Sequence, residues 1–148
     1  MGKSITFQRI ALEDLEYLRN LRNANREYFF DSDEITVSKQ KKWFKKIQNN
    51  SFIKFYIIIK NGQKVGTISC QDMGKMWELG NVLIDEPYRK KGIFREVVDI
   101  LHKVSPKPLF VEVRAENKEA IGVYLKLGFE EIGAVTINDE RRLALCKK

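Results

Sequence analysis

Apolar positions along the chain change period several times, and each change marks an element. Ile5 to Arg9 reads as a short first strand. Leu12, Leu15 and Leu18 then recur at threes, which sets them on one side of a helix running to about Arg22. Asn20, Asn23 and Asn25 break that pattern with turn-prone side chains. A second helix starts near Thr36 and shows Gln40, Trp43, Phe44 and Ile47 on one face, with Lys39, Lys41, Lys42, Lys45 and Lys46 around it. Phe52 to Lys60 is rich in aromatic and β-branched residues. Asn61-Gly62 follows, a strong hairpin signal, and Lys64 to Gln71 returns as the next strand. Met73-Gly74-Lys75 turns the chain into a strand over Trp77 to Ile84.

Past Asp85-Glu86-Pro87 the period changes again. Proline cannot donate to a strand ladder, and Ile93, Val97, Ile100, Leu101 and Val104 then fall at helical spacing. Ser105-Pro106-Lys107-Pro108 ends that helix, and Leu109 to Arg114 forms a strand whose helical crossover implies parallel pairing with the strand before it. Asn117 is a natural N-cap and Gly128 a natural stop for a helix with Ala120, Ile121, Tyr124 and Leu125 on its inner side. Phe129 to Ile137 and Arg141 to Cys146 close the chain as an antiparallel pair around Asn138-Asp139. The predicted order is β-α-α-β-β-β-α-β-α-β-β. It describes an α/β fold with a mixed, mostly antiparallel sheet and a central parallel pair, in a single domain over residues 1–148.

Composition narrows the class. At 148 residues, 43% hydrophobic and 32% charged, the chain has the makeup of one globular domain. No apolar run approaches the ~20 residues of a membrane span, so no membrane partner is expected. Met1 to Phe7 carries no apolar signal core with a small-residue cleavage site, and the cytoplasm is the expected compartment. Cys70 and Cys146 have no metal-ligand spacing and are read as free structural thiols, so no metal is expected. His102, the single histidine, lies on a helix, and a histidine-centred relay is poorly supported. The net charge of +7 favours anionic partners. No zinc-finger, basic-zipper or RNA-recognition signature accompanies it, so nucleic acid is not expected.

The charge is most concentrated at Tyr88-Arg89-Lys90-Lys91-Gly92, between the strand ending at Ile84 and the helix opening at Ile93. A loop that opens a helix directs free backbone N–H groups and the positive end of the helix dipole at one spot. Flanking cations add charge-assisted bonds to phosphate. The loop is a candidate pyrophosphate seat; a solvated basic turn is the alternative from these residues alone. It matches neither G-x-x-x-x-G-K-[ST] nor G-x-G-x-x-G, so the nucleoside-triphosphate and dinucleotide fingerprints are both missing.

A second stretch, Val111 to Phe129, again reads strand, cap, helix, glycine stop. Together the two stretches resemble the GNAT superfamily of acyl-coenzyme A-dependent N-acetyltransferases. Arg89 and Gly92 match its [QR]-x-x-G-x-[GA], with Phe94 standing where glycine or alanine is usual. Asn117, Ala120, Tyr124, Gly128 and Phe129 match N-x-x-A-x-x-x-Y-x-x-x-G-F. The resemblance implies that fold and acetyl-CoA as co-substrate. It implies a pantetheine arm on the main chain of Val82, Leu83 and Ile84. The pyrophosphate would then lie on the backbone N–H groups of Arg89, Lys90, Lys91, Gly92, Ile93 and Phe94.

The same resemblance makes Tyr124 the general acid toward the leaving sulfur, where periodicity alone also allows a core tyrosine, and gives Asn117 a cofactor contact besides its cap. Glu112 matches a glutamate used as base in some ribosomal-protein N-terminal acetyltransferases; Glu78, on the strand entering the loop, is the second candidate. Leu21-Arg22-Asn23, Phe29-Phe30 and Gln40-x-x-Trp43-Phe44 resemble bacterial members acting on amino groups of nucleotide-linked sugars. Asn23, Phe29 and Phe30 are therefore substrate-binding candidates, although the aromatic cluster also reads as a buried loop anchor. The expected acceptor is a small primary amine of anionic character, taken by a monomer or homodimer. Protein N-terminal acetylation and a non-catalytic acyl-CoA sensor are the alternatives.

Overall fold

The structure is a computed structural model describing residues 5–148, so the leader reading over Met1 to Phe7 falls mostly outside the described residues. In chain order the elements are β1 (Ile5–Arg9), α1 (Leu15–Ala24), α2 (Val37–Gln48), β2 (Ile53–Lys60), β3 (Gln63–Asp72), β4 (Trp77–Ile84), α3 (Ile93–Val104), β5 (Leu109–Arg114), α4 (Lys118–Lys126), β6 (Glu130–Ile137) and β7 (Glu140–Lys147). This is the order read from the sequence. The strands form a seven-stranded sheet, β1-β2-β3-β4-β5-β7-β6, in which β4 and β5 are parallel and the other neighbours antiparallel. No helix among the described residues is long and apolar enough to cross a membrane. The residues divide into two compact units, Met1–Ser69 with Asn81–Arg89, and Cys70–Gly80 with Lys90–Lys148.

In the first unit, Leu15 and Leu18 of α1, Phe44 of α2, and Phe55 and Ile57 of β2 form a buried cluster. Leu12, read as part of the same stripe, is instead 69% exposed. It sits in a 3-10 turn over Leu12–Asp14, whose tighter winding takes it off the face that α1 presents. Thr36 caps α2 by accepting from the Lys39 amide at 3.2 Å. Gln40, buried on the inner face, donates to Leu15 O at 2.7 Å and accepts from Arg19 at 2.9 Å. Asn61 and Gly62 both adopt positive φ (53° and 76°), the geometry of a two-residue turn that matches strand twist.

In the second unit, α3 buries Ile93, Val97, Val98 and Leu101, while Val104, at the same helical spacing, is 64% exposed in the last turn. Burial alternates along β5: Leu109, Val111 and Val113 are buried, and Phe110, Glu112 and Arg114 lie on the other face. Helix α4 buries Tyr124 and leaves Leu125 49% exposed, a correction to the inner side read from the sequence. Edge strand β6 is exposed along its whole length. Neither Cys70 nor Cys146 forms a disulfide.

Candidate active site

The basic loop acquires its shape from two left-handed residues. Lys90 (φ 61°) and Gly92 (φ 79°) bracket Lys91, a backbone reversal of the kind that gathers N–H groups onto a concave face. Gly92 is the N-cap of α3 and supplies no side-chain cap, and its carbonyl accepts from Glu96 N at 3.1 Å to begin the helix. The amides of Ile93, Phe94 and Arg95 are therefore first-turn donors without intrahelical partners. A Cβ built on Gly92 meets nothing within 4 Å, so the space over this turn is open. Lys90 and Lys91 are exposed beside it.

Arg89 is different. Its amide donates to Glu86 O at 3.2 Å, its Nε to Ile84 O at 2.8 Å, and a terminal nitrogen to Asn25 Oδ1 at 2.7 Å. Both its backbone and its guanidinium thus brace the end of β4 within the first unit. This removes the Arg89 amide from the set expected to bind phosphate.

Tyr124 is buried on α4, between two rings. Phe94 meets it edge-on at 5.4 Å between centroids and 82° between planes; Phe129 does so at 5.2 Å and 72°. Burial pushes the Tyr124 phenol above its ordinary value, so it stays protonated through neutral pH. Asn117 caps α4 through Oδ1, which accepts from Ala120 N at 3.1 Å.

The two candidate bases differ in company. Glu78 pairs in register with Phe110, so Glu78 and Glu112 lie on one face of the parallel strands. Glu112 is ion-paired with Arg142 at 3.1 Å; Arg142 also binds Glu140 at 3.1 Å, and Glu140 binds Arg114 at 3.0 Å. Glu78 is half-buried, and its carboxyl is raised above the usual carboxylate range, chiefly by burial and then by the negative charge of Glu112. Glu78 thus has a raised proton affinity, and Glu112 has a guanidinium partner.

In the first unit, Asn81 interrupts β4 with φ 50°. Three bonds hold this uncommon conformation: its carbonyl accepts from Thr67 Oγ1 at 2.8 Å, its Nδ2 donates to Ser69 Oγ at 2.9 Å, and its Oδ1 accepts from Arg22 at 3.3 Å. Val82, Leu83 and Ile84 follow directly. Leu83 forms part of the wall of a cavity of about 310 Å³. Phe29, Trp43 and Phe55 give that cavity aromatic walls, and Trp43 stands edge-on to Phe55 at 5.2 Å. Arg22 reaches it from α1 with its guanidinium 3.6 Å over the Phe29 ring.

Of the three substrate-binding candidates, Phe29 lines this cavity. Phe30 is 42% exposed, and Asn23 is bonded both ways to the Ile35 backbone, at 2.9 and 2.8 Å, which ties the loop after α1 to the helix. The cavity also brings in Arg22, Asp31, Lys39, Thr67 and Asn81, none of which was named as a site residue. The basic helix α2 was a signal for Lys39; Thr67 and Asn81 carried none, being ordinary residues of strands. Among the described residues no cluster of three or more histidine, cysteine or acidic side chains is arranged to hold a metal.

Residues 15–129 match the acetyltransferase (GNAT) family. An uncharacterized N-acetyltransferase of Methanocaldococcus jannaschii is 25% identical, over 87% of this chain and 62% of its own length. The ribosomal protein bS18-alanine N-acetyltransferase of Escherichia coli (strain K12) is 31% identical, over 61% of this chain and 63% of that protein. The chain thus spans about three fifths of the length of these curated relatives. Among solved structures, a spermidine N-acetyltransferase from Vibrio cholerae in complex with CoA and spermine superposes with a TM-score of 0.82 at 18% identity, covering 98% of this chain and 95% of that one. AAC(6')-Ib in complex with ribostamycin and coenzyme A does so with a TM-score of 0.80 at 20% identity, covering 98% and 93%. At such identities the likeness is one of fold.

Proposed function

The chain belongs to the acetyltransferase (GNAT) family, and from that premise we propose that it transfers the acetyl group of acetyl-CoA to the primary amine of a small acceptor, such as an amino group on a nucleotide-linked sugar. The observation that carries the reading is Tyr124, a buried phenol kept protonated and clamped between Phe94 and Phe129 at the family's tyrosine position. The residues present fit the cofactor. An open left-handed turn at Gly92, uncapped first-turn amides and exposed Lys90 and Lys91 together make a seat for phosphate. Backbone groups of Lys90, Lys91, Gly92, Ile93 and Phe94 would hold it there, with the main chain of Val82, Leu83 and Ile84 for the pantetheine arm. Asn117 caps with Oδ1 and has its Nδ2 available for a contact.

Acetyl-CoA, when bound, supplies a thioester whose leaving thiol has a pKa of about 8.5. Tyr124 is a weaker acid than that thiol, and burial weakens it further. Its part is therefore hydrogen-bond donation to the departing sulfur, with full proton transfer running uphill. Glu78 takes the amine proton, because burial and the nearby Glu112 charge raise its proton affinity. Glu112, ion-paired with Arg142, raises Glu78 through its charge and is the second candidate for base.

The 31% identity to a ribosomal-protein alanine N-acetyltransferase favours a second reading, with a protein N-terminus as the acceptor. Thiol release from acetyl-CoA against a panel of amino sugars and N-terminal peptides, with product masses, separates the two. Turnover on amino sugars supports the first; turnover on peptides alone supports the second. Uptake of acetyl-CoA with no turnover on any amine overturns both in favour of an acyl-CoA sensor.

A further inference from the structure

The cavity of the first unit carries a chemical preference. Its lining holds two cations, Arg22 and Lys39, and one carboxylate, Asp31. Most of its neutral polar groups already have partners within the fold: Gln40 with Leu15 O and Arg19, Thr67 with the Asn81 carbonyl, Asn81 with Ser69. The hydrogen bonds of Arg22 go to neutral groups, while the Asp31 carboxylate acts on its charge through space. One terminal nitrogen donates to the Asn81 amide oxygen at 3.3 Å and the other to the Asp31 backbone carbonyl at 3.2 Å, while its Nε is buried without a hydrogen-bond partner. The Phe29 ring backs the guanidinium plane at 3.6 Å, so the group is held flat and oriented. A half-buried guanidinium whose hydrogen bonds go to neutral acceptors keeps terminal N–H donors for an anion, Arg22 and Lys39 together outweigh the Asp31 carboxylate, and the planar fork suits carboxylate and phosphate alike.

We propose that Arg22 determines the specificity of this pocket, and that the acceptor is an amine which also bears an anionic group, phosphate or carboxylate, that Arg22 receives with help from Lys39. The proposal rests on the acetyl-transfer reading above and names its substrate class. It also sets this chain apart from the structurally similar spermidine N-acetyltransferase, solved with spermine. A polycation entering this cavity meets two positive side chains and one carboxylate, an unfavourable balance of charge.

The experiment uses the full chain with acetyl-CoA and matched acceptors: glucosamine 6-phosphate against glucosamine, phenylalanine against phenylalaninamide, and spermidine. Thiol release gives kcat/KM, and calorimetry on CoA-saturated protein gives binding. The wild type is expected to prefer the anionic member of one pair by roughly 10- to 100-fold, the usual worth of a hydrogen bond to a charged group. Preference in the first pair identifies phosphate, and in the second carboxylate. Arg22→Met brings that ratio near one, Arg22→Lys retains part of it, and Lys39→Gln, on an exposed helix position, lowers it without disturbing the fold. A purely bracing Arg22 would lower melting temperature and slow all acceptors alike, leaving the ratio intact. That result overturns the proposal, as does equal or better use of spermidine or the neutral members. Acetyl-CoA uptake with neither binding nor turnover of any anionic member overturns it too. Failure to take up acetyl-CoA overturns instead the acetyl-transfer reading on which it rests.

Discussion

The Phe94 ring stands edge-on to that of Tyr124, 5.4 Å between centroids and 82° between planes. Phe94 is the position at which the basic loop departs from the family's small residue, and Tyr124 is the proposed donor to the leaving sulfur. The departure therefore has a structural role: α3 contributes a wall to the tyrosine on α4. Replacing Tyr124 by Phe keeps both ring contacts and removes the hydroxyl. Turnover is expected to fall about 10- to 100-fold, the effect of losing one hydrogen bond to developing charge, with acetyl-CoA affinity by calorimetry unchanged. An undiminished kcat in Tyr124→Phe sinks the assignment.

Phe94→Ala restores the family's small residue and removes the wall. Loss of an aromatic pair and of a half-buried ring costs about 1–3 kcal/mol, or roughly 3–10 °C in melting temperature for a chain of this size. Two kinetic outcomes separate what Phe94 does. If it positions Tyr124, kcat falls while KM for acetyl-CoA stays level. If it obstructs the phosphate seat, KM for acetyl-CoA falls instead. The ring geometry predicts the first.

Much of this was legible in the sequence because it is local. The strand, basic glycine loop and helix from Trp77 to Val104 announce themselves by period and by proline and glycine, and the structure has those elements. What was not legible depends on distant partners. Arg89 reads as a phosphate ligand in its own loop, yet Asn25, 64 residues away, claims its guanidinium. The Arg22–Asn81 bond joins positions 59 apart, and neither residue's neighbours hint at it. Helical spacing in α4 allowed Leu125 and Tyr124 to share an inner side, but packing chose Tyr124. The pairing of β6 with β7 was read from the sequence, but its place at the sheet edge, which leaves Ile132 and Val135 about half exposed, was not.

Glu78 and Glu112 make opposite predictions for pH. Burial and the Glu112 charge raise the Glu78 carboxyl, and a general base must be ionised to work. Activity is therefore lost as pH falls through that raised value, which puts the acid limb of kcat/KM above the ordinary carboxylate pKa of about 4.3. Glu112→Gln removes the like charge, lowers the Glu78 value and moves the limb to lower pH. Glu78→Gln abolishes the limb and costs about 10²- to 10⁴-fold in rate. A limb that survives in Glu78→Gln and disappears in Glu112→Gln reverses the roles.

Gly66 on β3 tests whether the main chain of β4 carries the pantetheine arm. A Cβ built there comes within 2.2 Å of the Leu83 carbonyl oxygen and 3.1 Å of the Ile84 Cα, both backbone atoms that no rotamer change can move aside. Gly66→Ala must therefore push β4 away at the residues proposed to meet the cofactor. Overpacking of this kind costs about 1–3 kcal/mol, and a displaced Leu83 main chain should raise KM for acetyl-CoA several-fold. Gly122→Ala is the matched control. It lies in α4 with nothing within 4 Å of its added methyl, and a helical glycine replaced by alanine gains about 0.5–1 kcal/mol. Thermal melts and acetyl-CoA titrations of the two variants should move in opposite directions for stability, with affinity lost only in Gly66→Ala. If Gly66→Ala melts lower yet binds acetyl-CoA as tightly as the wild type, the Leu83 backbone is a structural neighbour of the site and takes no part in holding the arm.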